Sequence, residues 1–308
     1  MDNKKLGKTE FNISKLGLGT VQFGLDYGFT KKKTQDEVDE ILSCANQHGI
    51  NFIDTARSYG DSEEKIGNFI SQNKNQFVIG TKLELINPEE AGNKDILKAK
   101  IKKSLEASLS KLKLNSLDVL QIHQTASYII ENEEFWKILI SLKEKKEIAS
   151  IGVSVYEEEE TKKLLDSYGK YIDFFQAPYN IFDRRFENLE EELKKQQIGV
   201  IGRSVFLKGI IACQISGLPE ELKDLKIYKE RLEAKARSLS LKPAETALLY
   251  VYKKELITCA ILGVDSKKEL EENLEVVQKA DSINDLSIFD DIKVTEQRLI
   301  DPRKWTSL

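Results

Sequence analysis

Eight short apolar runs recur along the chain, each followed by a longer, charged stretch. The runs are 16–20 (LGLGT), 52–56 (FIDTA), 77–83 (FVIGTKL), 117–123 (LDVLQIH), 149–155 (ASIGVSV), 174–180 (FFQAPYN), 198–206 (IGVIGRSVF) and 259–264 (CAILGV). Most are short and bounded by Gly or polar residues, the pattern of parallel strands buried on both faces. The stretches between them carry apolar residues at helical spacing: 35–49, 96–114, 135–147, 157–170, 189–197, 225–240 and 267–280. Strand–helix alternation repeated eight times over roughly 250 residues predicts an α/β fold, a (β/α)8 TIM barrel. A doubly wound sheet is the alternative, but it wants a GxGxxG turn after its first strand, which LGLGTVQFG does not supply. Ahead of the first run, KKLGKTEFNISKL predicts a hairpin turning at Gly7 and Lys8. The irregular stretches are 207–224, with Gly209, Gly217 and Pro219, and a tail from about 281. No linker or low-complexity tract divides the chain, so one domain is expected over 1–308.

A barrel of this kind keeps its chemistry at the C-terminal ends of its strands. Asp54 and, five residues on, Tyr59 follow the second run; Lys82 ends the third and His123 the fourth. Ser154 ends the fifth, Gln176 and Asn180 lie in the sixth, Arg203 and Ser204 in the seventh, and Gly263 to Ser266 at the eighth. Singly, each has a bland reading: a rim ion pair for Asp54, a turn for Tyr59–Gly60, a core imidazole for His123. Together they make a proton-transfer kit. A phenol ionises near ~10, and a buried ammonium beside it is expected to lower that value. A carboxylate holds the ammonium in place, and a histidine orients a substrate oxygen. No side chain supplies a hydride, so a redox reaction here needs a cofactor.

Composition removes several alternatives. The 47 Lys and Arg nearly balance 51 Asp and Glu, leaving a net charge of −4, so no nucleic-acid partner is expected. Two histidines, His48 and His123, are too few for a His-rich metal site, and no metal centre is expected. Cys44, Cys213 and Cys259 are far apart and odd in number, which predicts reduced packing thiols. The N-terminus lacks a signal-peptide apolar region, and no stretch approaches the ~20 apolar residues of a membrane span. A cytoplasmic protein without a membrane partner is the expectation. His48, before Gly49, predicts a helix C-terminal contact.

The segment GINFIDTARSYGDSEEKIG (49–67) closely resembles the aldo-keto reductase signature GIxxxDTAxxYGxSExxxG. VIGTKL, LDVLQIH, IGVSV, QAPYN and RSVFLKG resemble further signatures of that family, and the likeness runs over nearly the whole chain. The resemblance implies a nicotinamide-dependent oxidoreductase acting on a small carbonyl or alcohol. It makes Tyr59 the general acid, Lys82 and Asp54 its tuning pair, and His123 the group that positions the substrate oxygen. It assigns Ser154 and Gln176 to the nicotinamide carboxamide. Arg203 goes to the nicotinamide ring, where the family usually has a tyrosine. Ser204, Phe206 and Gly209 go to the pyrophosphate, and Gly263, Ser266, Glu272 and Asn273 to the adenosine end.

Departures are informative. Val155 replaces the family's usual asparagine after Ser154, removing one carboxamide contact. Gly263 and Glu269 occupy positions where NADP-specific members carry basic residues, with Lys267 and Lys268 nearby as substitutes. NADP(H) is favoured by the family's habit, with NAD(H) as the alternative. Phe23, Tyr27, Tyr128 and Trp305 are candidate pocket residues, and Asp26 suggests a hydroxylated, sugar-like substrate. Two other readings compete: a nicotinamide-binding regulatory subunit, against which the lack of an N-terminal inactivation-type extension counts, and a lyase using Lys82 as a Schiff base. No heptad run fixes an oligomeric state.

Overall fold

The structure is a computed structural model that describes residues 1–26, 31–73, 76–280 and 283–306. A hairpin of β1 (Asn3–Lys5) and β2 (Asn12–Ser14) opens the chain, with Lys4 opposite Ile13. Eight parallel strands follow: β3 (Leu16–Gly19), β4 (Phe52–Asp54), β5 (Val78–Lys82), β6 (Leu117–Ile122), β7 (Ile148–Ser154), β8 (Phe174–Pro178), β9 (Gly199–Arg203) and β10 (Cys259–Gly263). They pair in chain order, and β10 returns to β3 with Ala260 opposite Leu16, closing the barrel.

Alternation along the strands sorts two cores. Phe52, Val78, Val119, Phe174, Ile201, Cys259 and Ile261 point inward and pack together with Leu6 and Ile13 of the hairpin, which plugs the N-terminal end. The larger core lies between the strands and the surrounding helices. Counting on by two along the inward face from the plug reaches Asp54, Gly80 and then Lys82, Gln121 and then His123, Gln176, Arg203 and Gly263. The layer above the plug is therefore the polar one.

The helices are capped by their own sequences. Thr34 and Glu37 form a reciprocal capping box at Gln35–Gln47, Asn93 caps Lys94–Leu112, Asn132 caps Glu133–Glu144, and Ser266 caps Lys267–Gln278. His48 ends the first of these, its Nδ1 2.9 Å from the Cys44 carbonyl. Two eleven-residue helices are absent from the predicted stretches. In Pro243–Lys253 every residue from Thr246 to Tyr252 is buried, so no stripe exists to read. In Ser62–Gln72 the buried face includes Ser62, Glu63 and Lys65, which a hydrophobicity pattern scores as surface.

The seventh strand is shorter than its apolar run. It stops at Arg203, and Ser204, Leu207, Lys208 and Gly209 all adopt left-handed backbone (φ 62°, 49°, 51° and 86°), so 204–213 is a tight loop. The tail is partly ordered as a 3-10 turn (Ser287–Ile292) and a short helix (Gln297–Ile300). Among the described residues, no helix is long and apolar enough to cross a membrane.

Candidate active site

Asp54 is the hub of the polar layer. Its Oδ2 accepts from Lys82 Nζ at 2.6 Å, and its Oδ1 accepts from Gln121 Nε2 at 2.7 Å and Gln176 Nε2 at 2.8 Å. Lys82, fully buried, also donates to the Thr55 carbonyl at 3.0 Å and lies against Tyr59, its Nζ 5.1 Å from the ring centroid. Burial alone would strip its proton, but the Asp54 carboxylate outweighs that and holds the amine above its ordinary value. An amine held in its charged form by Asp54 is disfavoured as the free nucleophile of a Schiff-base mechanism.

The phenol behaves differently from the sequence expectation. Burial raises the pKa of Tyr59, and the Lys82 charge offsets this only in part, because Asp54 opposes Lys82. Tyr59 is therefore held as a neutral phenol rather than primed as a phenolate. His123 meets Tyr59 edge-on, ring centroids 6.3 Å apart. Burial first, and then Lys82 and Arg203, push the imidazole down to about 4, so it is neutral at pH 7 and can donate from one ring nitrogen.

Tyr59 is fixed by backbone packing. Gly60 has φ 59°, and a Cβ there would lie 2.2 Å from the Gly24 carbonyl oxygen; one on Gly24 would lie 1.7 Å from the Tyr59 carbonyl oxygen. The two chains touch where only glycine fits. Behind the turn, Glu63 accepts from Thr81 Oγ1 at 2.7 Å and from Arg57 at 2.8 Å, linking Ser62–Gln72 to the strand that carries Lys82.

The other predicted residues fall around this hub. Ser154 is buried at the end of β7. Asn180 donates to the Ser204 carbonyl at 3.1 Å and so pins the start of the 204–213 loop, in which Phe206 is partly buried and Gly209 faces open space. Lys229, buried, donates to the carbonyls of Ile210, Ile211 and Cys213 at 2.6, 3.2 and 2.8 Å. Across the barrel, Gly263 lies against Gln22, Ser266 caps its helix, and Asn273 has a buried Nδ2 without a partner among the described residues. Glu272 is exposed and pairs with Lys268 at 3.8 Å. Glu269 turns back to accept from the Asp265 N–H at 2.7 Å.

Arg203 stacks on Tyr156, 4.0 Å from its centroid, and donates to the Val155 carbonyl. Arg303 from the tail lies over the same ring at 3.8 Å. Several of the pocket candidates are committed elsewhere. Phe23 is core; both Asp26 oxygens are engaged, by Lys31 Nζ and by the Lys32 N–H; Trp305 is buried and donates to the Arg298 carbonyl. Tyr128 is exposed and hydrogen-bonds Ile86 and Gln124, while Tyr27 lies outside the described residues. Gln121, Tyr156 and Arg303 were not singled out by sequence. Gln121 was findable, since it shares the inward face of LDVLQIH with His123; the Tyr156–Arg303 contact joins distant segments and left no local signal.

The chain is similar to known oxidoreductases over most of its length. The chain is 27% identical over 293 residues to the uncharacterized oxidoreductase YqkF of Bacillus subtilis, covering 89% of this chain and 90% of that one. It is 25% identical to L-galactose dehydrogenase of Arabidopsis thaliana, covering 91% and 89% of the two chains. The solved structure of aldo-keto reductase AKR11C1 from Bacillus halodurans superposes with a TM-score of 0.76 at 22% identity, over 97% of this chain and 99% of the other. A sequence model of the Aldo/keto reductase family matches residues 15–293, and the chain belongs to that family.

Proposed function

We propose that the protein reduces an aldehyde or ketone with a nicotinamide nucleotide, Tyr59 giving the proton. The observation that carries this reading is the buried Asp54–Lys82 ion pair set against the Tyr59 ring, Nζ 5.1 Å from its centroid, with neutral His123 at its edge. When bound, the nucleotide supplies the hydride. His123 donates a hydrogen bond to the substrate oxygen and polarises the carbonyl. As negative charge grows on that oxygen, the Tyr59 hydroxyl transfers its proton there, and Lys82 stabilises the phenolate left behind. Asp54 keeps Lys82 charged and aimed at Tyr59, and the Gln121 and Gln176 amides hold Asp54.

The residues suit a dinucleotide. The orphaned Asn273 Nδ2 is a buried donor awaiting an acceptor, as an adenine nitrogen provides. The phosphates are assigned to the loop after β9 by the family resemblance, and its backbone is set by internal bonds, Leu207 N–H to the Ser204 carbonyl and Gly209 N–H to the Phe206 carbonyl, both at 2.9 Å. Ser154 and Gln176 border the nicotinamide side, Gly263 and Ser266 the adenosine side, and Arg203 stands between cofactor and substrate. NADP(H) is the favoured form. Glu269 is withdrawn by its bond to Asp265, and Lys267 and Lys268 are engaged only in exposed pairs at 3.7 and 3.8 Å, which screening makes weak. A sugar-like substrate now rests on the likeness to L-galactose dehydrogenase rather than on Asp26, whose carboxylate is occupied.

The experiment is a fluorescence titration of Trp136 and Trp305 with NADPH and NADH, paired with aldehyde reduction by wild type and Tyr59→Phe. Nucleotide binding in both proteins with turnover only in wild type supports the reading. Equal turnover in Tyr59→Phe overturns the role of the phenol, and binding without turnover in wild type points to a regulatory subunit.

A further inference from the structure

Arg203 is a cation at the barrel mouth held by no carboxylate among the described residues. A guanidinium has five N–H donors and does not deprotonate in proteins. Arg203 gives one of them to protein among the described residues, to the Val155 carbonyl at 3.0 Å. The carboxylates around it are taken. Asp183 is held bidentately by Arg185, at 2.9 Å to each oxygen. Asp301 is held by Arg303 at 2.6 Å, and Glu157 accepts from Arg303 at 2.6 Å and from Gln297 at 3.0 Å. The ring of Tyr156 is shared with a second guanidinium, that of Arg303, and not with an acid.

We propose that the unused donors of Arg203 receive an anionic group of the substrate, so that the site takes carbonyl compounds bearing a carboxylate or phosphate close to the carbonyl. The inference rests on the hydride-transfer reading and deepens it. Planar fork donors match a carboxylate or phosphate edge. With the carbonyl oxygen at Tyr59 and His123, the anionic group would sit toward β7 and the tail. It is a handle only; the hydride goes to the carbonyl carbon, the Tyr59 proton to its oxygen, and the anion is unchanged. The phosphates of the dinucleotide share this chemistry; the Arg203 head reaches past β8 to Val155 and Tyr156 beyond the end of β7, and the nucleotide Kd tells the two anions apart.

Matched pairs of aldehydes test this: succinic semialdehyde against butanal, and glyceraldehyde 3-phosphate against glyceraldehyde, with nucleotide-saturated wild type, Arg203→Lys and Arg203→Met. Wild type is expected to favour the anionic member of each pair by tenfold or more in kcat/KM, mostly through KM. Arg203→Met should erase that preference, and Arg203→Lys should keep part of it. No preference in wild type, or one that survives in Arg203→Met, overturns the proposal. So does a nucleotide Kd that rises tenfold in Arg203→Met while the preference stays, since the anion would then be the cofactor's phosphate. Calorimetry with succinate, which has no reducible carbonyl, reads the fork without chemistry. Millimolar binding lost in Arg203→Met supports it, and no binding, or equal binding, overturns it. Failure of hydride transfer shows in the Tyr59→Phe comparison, and failure of anion recognition in the Arg203 series.

Discussion

The Thr81 hydroxyl donates to Glu63 Oε1 at 2.7 Å, joining the residue just before Lys82 to a helix that starts three residues after Tyr59. Glu63 is fully buried, and its other oxygen accepts from Arg57. This brace sets the spacing between the ammonium and the phenol. Glu63→Ala leaves Arg57 and Thr81 without their acceptor, and the expected loss of stability is about 3–5 kcal/mol in urea denaturation. Thr81→Val removes one charge-assisted hydrogen bond and should cost about 1.5–3 kcal/mol. If the brace positions Tyr59, Thr81→Val also lowers kcat more than it raises the nucleotide Kd.

Lys82→Met strands Asp54 in the barrel interior with only its two amide partners. Reduction should fall by ~10²–10⁴, the range associated with a proton-transfer group. Asp54→Asn combined with Lys82→Met should be more stable than Lys82→Met alone, because no buried charge is left unpaired. A thermal-melting double-mutant cycle reads this, and additive losses would contradict it.

The imidazole gives a pH signature. His123 ordinarily titrates near 6.5 and is depressed to about 4 in the folded protein. Between those values the unfolded chain binds the proton that the folded one refuses. The contribution of His123 is thus fully present above pH 6.5 and lost as pH falls toward 4, by roughly 3 kcal/mol. Replacing His123 with Gln should flatten the fall in stability between pH 7 and pH 4.5, measured by urea denaturation at each pH.

Lys229 closes three carbonyls of the loop after β9. Lys229→Met leaves those acceptors unmet, and the loop should open to limited proteolysis within 204–213. Nucleotide affinity should fall about tenfold, a loss of ~1.4 kcal/mol. Unchanged affinity and unchanged cleavage would remove this lysine from the binding apparatus.

Much of this was legible in sequence, for reasons that can be named. Strands buried on both faces write themselves as apolar runs, and Asp54, Lys82 and His123 lie in such runs or at their ends, where their polarity stands out. Tyr59 was visible through the signature around it. The proton affinity of Tyr59 was not, because it depends on burial outweighing Lys82, and burial is a property of the assembled mouth. The run 198–206 overstated its strand because Val205 and Phe206 are apolar for packing the loop. Arg203 was readable as a position but not as an unclaimed cation; that needed Arg185, Glu157 and Arg303 from three separate segments.

The two-storey interior of the barrel has a wider consequence. The plug of Phe52, Val78, Val119, Phe174, Ile201 and Ile261 supports a ring of polar side chains borne on the same strands, one or two inward steps further along. The groups that make the floor and the groups proposed to meet the reactant are different residues. Mutational drift in the upper ring can therefore change what is accepted while the floor goes on specifying the fold. A laboratory library restricted to Arg203, with Tyr156 that packs against it and Arg303 over the same ring, would sample new selectivities on an unaltered foundation.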